Sequence, residues 1–287
     1  MQEAEWMNDA TITKTQMQAF RDQLCWEEKS PGTMEKYCRD VAAFAAWLGE
    51  RPLTKDAAGA WKAALLAGGQ APATINAKLA ALNRFFSFLG RPELRVRPLR
   101  IQRRLFRDDS RDLTREEYDR LLGAARALGR ERLALLMEAI CATGIRVSEV
   151  QYITVEAARA GRAEVALKGK IRTILIPSKL CRKLLKYAKQ QKTASGEIFL
   201  TRNGTPLSRR QIWAEMKGLC KTAGVAASKV FPHNLRHLFA AAFYRASRDI
   251  VKLADVLGHS SLETTRIYLL TSGAEHQRQL DRLGLVS

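Results

Sequence analysis

The chain has 287 residues, 46% hydrophobic and 27% charged, proportions typical of a globular protein with one large or two modest cores. Lysine and arginine total 48 against 29 acidic residues, so the formal net charge is +19 and a polyanionic partner is expected. The acidic N-terminus and the lack of a long apolar run argue against a signal peptide and a membrane span, so a cytoplasmic protein is expected. The five scattered cysteines, none in a CxxC pair, argue against disulfides and structural zinc.

The first part of the chain shows the apolar periodicity of helices. Residues 1–12 carry little periodicity and are predicted to form a tail. Helices are predicted over residues 12–29, from Pro31 onward, over 55–66 and over 72–89. Ser30 before Pro31 is typical of a helix start, because serine caps a helix and proline fits its first position. A helical domain is therefore predicted over residues 13–90.

Residues 91–112 are predicted to link two domains, because they contain two prolines and no steady period. Seven arginines and one glutamate lie between positions 91 and 107. A solvated hinge is one interpretation. The preference for arginine over lysine favours a strap that follows DNA phosphates, with Arg103, Arg104 and Arg107 as the candidate contacts.

Residues 113–287 are predicted to form a second domain. Helices are predicted after a capping box at Thr114, over 132–143, just beyond Gly144, over 178–189, and from a capping box at Ser208 to about 222. A β-hairpin is predicted over 163–177 and a short strand over 198–201. The fold class is therefore mainly α with a small β-sheet. Arg209 and Arg210, at the positive end of the Ser208 helix, are candidates for binding phosphate or a base edge.

Five residues of this domain suit phosphoryl transfer to a tyrosine: Arg146, His233, Arg236, His259 and Tyr268. Two guanidiniums stabilise the charge of a phosphorane-like transition state, and imidazoles move protons. Tyr268 is predicted to lie two turns into a helix capped by the serines after His259. Taken alone, such a tyrosine is more often half-buried packing.

Other side chains near these positions have structural alternatives. Arg146 and Glu149, predicted on one helix face, form either a surface ion pair or an arrangement in which Glu149 orients the arginine. His237 follows His233 by four residues, but Asn234 stands where a zincin motif has glutamate. His237 is therefore expected to be a structural or hydrogen-bonding histidine.

A leaving 5′ oxygen needs a proton, and a lysine on a turn can deliver it. Lys168 and Lys170 flank Gly169 in the predicted hairpin, although hairpin lysines are usually solvated. The sequence has no GxxxxGK[ST], no GxSxG and no acidic cluster for two metal ions. A route without metal, ATP or another cofactor is therefore expected.

The motifs TGIRVSE, KGKIRTILIP, HNLRH and LGHSSLETTRIY together resemble those of the tyrosine recombinases, the phage integrase family. The segments SPGTMEKYCRDVAAFAAWL and APATINAKLAALNRFFSFL also resemble its SAM-like core-binding domain. The resemblance covers the chain from about Thr13 to Tyr268. The joint pattern is far more specific than any one motif.

The resemblance implies a role for each matching residue. Arg146 and Arg236 match the arginines that hold the scissile phosphate. His233 matches the histidine that assists proton transfer, and His259 the second histidine of the site. Tyr268 matches the nucleophile, which joins the DNA 3′ phosphate and releases a 5′ hydroxyl.

The hairpin departs from the family pattern. The family often reads KGxKxR, whereas this chain reads Lys168-Gly169-Lys170-Ile171-Arg172, one residue shorter. Lys168 matches the general acid and is preferred on hairpin geometry. Lys170 stays open as the alternative, and is otherwise a candidate DNA contact.

The resemblance also implies the protein's partners. Two domains clamp duplex DNA bearing specific recombination sites, and four protomers on two sites exchange strands through a Holliday junction, in the nucleoid. An accessory directionality factor is a further expected partner. The segment 272–287, with Leu280, Leu283 and Leu285, docks either on a neighbouring protomer or on its own domain.

The sequence leaves the biological role open. Integration or excision of a mobile element and resolution of chromosome dimers are both compatible with it. The alternatives are a type IB topoisomerase-like relaxing enzyme and a non-catalytic DNA-binding regulator on the same scaffold.

Overall fold

A computed structural model describes residues 11–101, 109–167, 170–268, 277–278 and 281–283. The chain divides into two compact units, residues 1–103 and 104–287. Among the described residues, helices and one two-stranded sheet account for the regular structure. The predicted fold class, mainly α with a small β-sheet, is therefore confirmed. The predicted tail falls largely on residues 1–10, outside the described residues.

In its described residues, the first unit contains four α-helices: α1 (Lys14–Trp26), α2 (Pro31–Leu48), α3 (Lys55–Ala67) and α4 (Pro72–Phe88). Each buries the apolar stripe that its sequence predicts, and aromatic rings dominate the shared core: Phe20, Phe44, Trp61, Phe85 and Phe86. Pro31 is the first residue of α2, as predicted. The Ser30 hydroxyl, however, bonds the Thr33 hydroxyl at 2.8 Å and no backbone N–H, so the predicted serine cap is wrong in detail.

The chain that follows α4 is fixed to this unit by two asparagines. Asn83 Nδ2 donates to the Val96 carbonyl at 2.9 Å, and its Oδ1 accepts from the Val96 N–H at 2.9 Å. Asn76 does the same for Leu99, at 2.9 and 2.7 Å. Each amide side chain thus replaces a strand neighbour, since it pairs with both backbone groups of one residue. Residues 95–99 are therefore docked on α4.

The second unit contains nine described helices and both described strands. The helices are α5 (Arg115–Ala127), α6 (Glu131–Thr143), α7 (Val155–Ala160), α8 (Ser178–Gln190), α9 (Arg209–Lys217), α10 (Cys220–Ala223), α11 (Pro232–Ser247), α12 (Ile250–Leu257) and α13 (Leu262–Arg266). The strands are β1 (Arg162–Leu167) and β2 (Lys170–Leu175). Capping boxes at Thr114 and Ser208 begin α5 and α9, as predicted.

Helix α6 is the centre of this unit, because most of its residues after the first turn are buried. It packs against α5, α8 and α11. Gly144 ends it in the left-handed conformation, with φ +66°, and a Cβ there would lie 2.4 Å from the Phe239 ring. Only glycine fits both the positive φ and the close contact with Phe239. The chain turns sharply at Gly144, and this turn places Arg146 at the site.

The two strands form an antiparallel hairpin, as predicted. Val165 pairs with Arg172, and Leu167 pairs with Lys170. Val165 and Ile174 face the core, whereas Ile171 and Leu175 are 79% and 76% exposed. One face of this short sheet is therefore buried on the domain and carries Arg172 with it.

Four local predictions need correction. The segment after Gly144 is a 3₁₀ turn over Val147–Tyr152, and Arg146 precedes it instead of sharing its face. The strand predicted over 198–201 is present only as isolated bridges. The helix predicted to run to about 222 breaks at Gly218 into α9 and α10. Helix α13 ends at Arg266, so Tyr268 lies in the following turn and not two turns into the helix.

Candidate active site

An open cavity of about 330 Å³ lies where the end of α6, the start of α11 and the α12–α13 corner meet. Its lining includes all five residues of the predicted constellation: Arg146, His233, Arg236, His259 and Tyr268. These residues span 122 positions of the sequence. The fold therefore gathers two guanidiniums, two imidazoles and a phenol on one surface.

Arg236 is the most deeply buried cation of the site, at 1% exposure. Its Nη1 donates to the Gly144 carbonyl, and its Nη2 to the Leu257 carbonyl at 2.9 Å. Both carbonyls end helices, where backbone acceptors lack partners and a cation is favoured. Burial lowers the pKa of the Arg236 guanidinium, and the nearby Tyr268 phenol partly offsets that effect. Arg236 stays charged, because an arginine pKa lies far above neutrality.

His259 accepts a hydrogen bond from Arg236, with 2.9 Å between His259 Nε2 and Arg236 Nη2. A guanidinium only donates, so Nε2 must be unprotonated and Nδ1 must carry the ring proton. Nδ1 then donates to the Thr265 hydroxyl at 2.9 Å. Burial and the charges of Arg236 and Arg146 lower the pKa of His259 to about 4. His259 is therefore a neutral imidazole that orients Arg236.

Arg146 is held by the Glu149 carboxylate. Glu149 accepts from the Arg146 backbone N–H at 2.8 Å and from its Nη1 at 3.0 Å. Arg146 stays 42% exposed toward the cavity, whereas Glu149 is 2% exposed. Burial alone would raise the pKa of Glu149, but the Arg146 N–H and the Arg172 charge outweigh it and hold that pKa below its ordinary value. A charged Glu149 therefore fixes Arg146 while leaving its outer face available.

Tyr268 is 5% exposed and packs on Leu253 and Leu257 of α12. Its ring lies nearly parallel to that of His259, with centroids 5.8 Å apart, and meets the edge of His237 at 4.4 Å. These two ring contacts, one stacked and one edge-on, restrict the rotation of the phenol. Tyr268 is thus a positioned side chain beside Arg236.

His233 and His237 occupy one face of α11, with ring centroids 4.6 Å apart. His233 is exposed at the cavity, and its centroid lies 6.2 Å from that of Tyr268. An exposed imidazole at this distance can exchange protons with a substrate or with water near the phenol. His237 packs against the Tyr268 ring on the α11 side.

The candidate DNA contacts are only partly described. Arg209 lines the cavity at the start of α9, and Arg210 beside it is exposed. Lys170 belongs to β2 and pairs with Leu167. Lys168 and the linker arginines Arg103, Arg104 and Arg107 lie outside the described residues. The choice between Lys168 and Lys170 therefore stays open.

Two residues of the site were not predicted from the sequence. Thr265 is fully buried, and its hydroxyl accepts the hydrogen bond from His259 Nδ1. Arg172 binds Glu149 from the hairpin. A signal for Arg172 exists, because it alternates with the buried Ile174 and Ile176, so its side chain had to point inward. The opposite face of β2 is equally apolar, with Ile171 and Leu175. The sequence therefore does not show which face of the strand is buried.

The part of the chain that the structure describes contains no group of three or more His, Cys, Asp or Glu side chains able to hold a metal ion. Nor does any of its helices combine the length and apolarity of a membrane span.

Comparison with known proteins places this cavity in a family. Residues 111–274 match the phage integrase family, and residues 17–93 match its N-terminal SAM-like domain. The chain is 30% identical to tyrosine recombinase XerA of Pyrococcus furiosus, over 98% of each chain. It is 31% identical to tyrosine recombinase XerC of Roseiflexus castenholzii, over 88% of each.

Solved structures agree in fold. A lambda integrase fragment crystallised as a dimer on a COC′ core site matches with a TM-score of 0.72 at 19% identity, over 89% of this chain and 94% of that one. XerH bound to its difH substrate matches with a TM-score of 0.69 at 19% identity, over 96% and 85%. With its family profile, its relatives and its fold in agreement, this chain belongs to the phage integrase family and is a tyrosine recombinase.

Proposed function

We propose that this protein is a site-specific DNA recombinase that cleaves and rejoins strands through a 3′-phosphotyrosyl intermediate. The observation that carries the proposal is the placement of Tyr268 against Arg236 and His259, on a cavity that Arg146 and His233 also line. A phenol among fixed positive charges suits attack on a phosphodiester.

In the proposed reaction the Tyr268 oxygen attacks the scissile phosphorus. A tyrosine O–P bond forms as the P–O5′ bond breaks, so the number of phosphoester bonds is unchanged and rejoining needs no external energy source. Arg146 and Arg236 bind the non-bridging oxygens, whose charge grows in the transition state. Arg236 is held by two carbonyls and by His259 before DNA arrives, so little reorganisation is needed.

Two protons must move in this step. The phenol loses one, and the exposed His233 imidazole, whose ring centroid lies 6.2 Å from that of Tyr268, is the group proposed to assist its transfer. The 5′ oxygen gains one, for which Lys168 is the proposed donor and Lys170 the alternative. His259 supports the step by accepting a hydrogen bond from Arg236. Its pKa of about 4 leaves Nε2 without a proton at neutral pH, so Nε2 stays available for that bond.

Double-stranded DNA is the proposed partner, and a second copy of the chain the proposed assembly partner. XerH is described as bound to a difH substrate, and lambda integrase as a tetramer on a Holliday junction. The net charge of +19 supports contact with DNA phosphates. Arg209, which lines the cavity, and its neighbour Arg210 are candidates for these contacts. We extend the tetramer, the junction intermediate, docking by segment 272–287 and a directionality factor to this protein as proposals. Integration of a mobile element and dimer resolution are equally supported.

The test is a covalent trap. A pool of nicked duplexes with a randomised segment is incubated with protein in EDTA, and DNA that stays attached under denaturing conditions is sequenced. When the protein cleaves just before a nick, the short fragment that carries the new 5′ hydroxyl dissociates. The strand then cannot be rejoined, so the covalent adduct accumulates. Wild type is expected to enrich one site. Tyr268→Phe, which lacks only the hydroxyl, is expected to bind that site normally and to form no adduct.

Tyr244→Phe is the matched control, because Tyr244 packs against the same small cluster as Tyr268. It should retain the adduct, and an adduct formed by Tyr268→Phe would refute the nucleophile. Adducts without sequence preference, together with relaxation of supercoiled plasmid, would favour the topoisomerase-like alternative. DNA that is bound but never cleaved would favour the non-catalytic regulator.

A further inference from the structure

One partly buried arginine connects three segments of the chain beside the cavity. Arg172 lies on the inner face of β2, and its side chain is 15% exposed. Its Nη2 donates to the Glu149 carboxylate, and its Nη1 donates to the Val256 carbonyl at 3.2 Å. Its stem runs against Gly258, where a Cβ would lie 2.5 Å from Arg172 Cδ. One guanidinium thus binds the hairpin to the 3₁₀ turn and to the end of α12.

Each of these three segments leads to a residue of the site. Glu149 holds Arg146 through its backbone N–H and its Nη1. Val256 and Gly258 end α12 immediately before His259. Strand β2 begins at Lys170, two positions after Lys168 in the sequence. A shift of Arg172 would therefore move the support of a phosphate-binding arginine and of a histidine together.

Charge explains why this contact is specific. Glu149 is 2% exposed and binds two arginines. Removing one partner of a buried ion pair leaves an incompletely compensated charge, which is costly and invites rearrangement. A hydrophobic or shorter side chain at position 172 cannot bridge Glu149 and the Val256 carbonyl at once.

We propose that Arg172 is a positioning residue of the recombinase site, which holds the hairpin, the Glu149–Arg146 pair and the loop before His259 in one register. The proposal rests on the function proposed above. It also gives a reason for glycine at position 258, because any side chain there would push Arg172 out of its slot.

The first test separates rate from affinity on the duplex recovered by the covalent trap. Arg172→Gln is expected to lower the single-turnover cleavage rate roughly 100-fold, the usual cost of misplacing catalytic groups by about 1 Å, with little change in Kd. Arg172→Lys keeps the charge but makes fewer bonds and should lie between. Arg162→Gln, an exposed arginine on the paired strand, is the control and should cleave like wild type. Equal rates for Arg172→Gln and Arg162→Gln would overturn the proposal.

The second test leaves Arg172 in place. Gly258→Ala should slow cleavage, because its Cβ displaces Arg172. Part of its effect comes from φ +64°, so Gly224→Ala is the control, at φ +60° with open space around its Cβ. A positioning role predicts a larger rate loss for Gly258→Ala than for Gly224→Ala. When Gly258→Ala is added to Arg172→Gln, the further loss should be no larger than that of Gly224→Ala. Additive losses would contradict it.

A readout without DNA keeps the two proposals distinguishable. In the free protein, Arg172→Gln should shift the ¹⁵N resonances of the His259 ring, whereas Arg162→Gln should not. Such a shift with no adduct from wild type would leave the Arg172 linkage standing and refute the recombinase function. Unchanged His259 resonances with a normal wild-type adduct would refute the linkage alone.

Discussion

The neutral state of His259 is the residue-scale feature with the clearest consequence for stability. Burial, then the charges of Arg236 and Arg146, lower its pKa from 6.5 to about 4. The unfolded chain therefore binds this proton more tightly than the folded protein. The stabilising contribution is complete above about pH 6.5 and is lost progressively as the pH falls toward about 4.

We expect wild type to lose more unfolding free energy than His259→Asn between pH 7 and pH 5, because the variant has no imidazole to protonate. The excess slope is at most about 1.4 kcal/mol per pH unit, and less because the ring is partly exposed. Urea midpoints at both pH values measure it, and a ¹⁵N titration of the ring gives the pKa directly. Burial alone would raise the pKa of Glu149, but the Arg146 N–H and the Arg172 charge hold it below its ordinary value, so this carboxyl takes up its proton at a lower pH than His259 does when unfolded. Parallel pH profiles for the two proteins would contradict the depressed pKa.

The predicted constellation lies on one cavity, and three of its five residues follow a strong local signal. Gly144 precedes Arg146, Pro232 precedes His233, and Gly258 precedes His259. These helix boundaries can be read from the sequence. The partner atoms could not be predicted, since Arg236 binds the carbonyls of Gly144 and Leu257, which come from two other helix ends. Contacts between distant segments depend on packing, which periodicity does not report.

At the scale of elements, long amphipathic helices were predicted better than short ones. Helix α2 and helix α4 follow their predicted stripes closely. Helix α13 spans only Leu262–Arg266, and Tyr268 lies beyond it. A short helix is stabilised by tertiary contacts more than by its own sequence, so its end is poorly encoded locally. The docked segment 95–99 was likewise not predicted, because two asparagine side chains in α4 hold it.

The asparagine contacts predict the behaviour of this segment. Asn83→Asp keeps an acceptor for the Val96 N–H but replaces the donor to its carbonyl with a second oxygen. We expect a loss of about 1–2 kcal/mol in unfolding free energy, because one polar group loses its partner in a part-buried site. Urea unfolding followed by tryptophan fluorescence measures it, since Trp61 is buried in this unit. Asn203→Asp, the same change at an exposed turn, should alter stability by less than about 0.5 kcal/mol. Equal effects would show that the bonds to Val96 contribute little.

At the scale of the whole molecule, the excess of basic residues sets how the protein meets DNA. The net charge of +19 lies mostly on the second unit, which carries +15 against +4 on the first, and it attracts any polyanion without regard to sequence. The buried Arg236 and the partly buried Arg172 add to that charge, but they hold the candidate active site together. The exposed Arg95 and Arg97 of the docked segment, and Arg100 directly after it, are instead carried by a backbone that the two asparagines fix. A fixed row of guanidiniums loses less conformational freedom on binding than a free linker would.

This arrangement predicts the salt dependence of DNA binding. Each arginine that neutralises a phosphate contributes about 0.9 to the slope of log Kd against log salt concentration. Replacing Arg95, Arg97 and Arg100 with glutamine should therefore lower that slope by about 0.9 for each residue on a phosphate, and weaken binding to all sequences alike. Fluorescence anisotropy on a labelled random duplex over a salt series measures it.

The control replaces Arg115, Arg159 and Arg182, exposed arginines of α5, α7 and α8, and removes the same charge. A larger slope change for the first set would place the docked segment on the DNA backbone. Equal changes would mean that only the total charge matters, and that the asparagines of α4 serve stability alone.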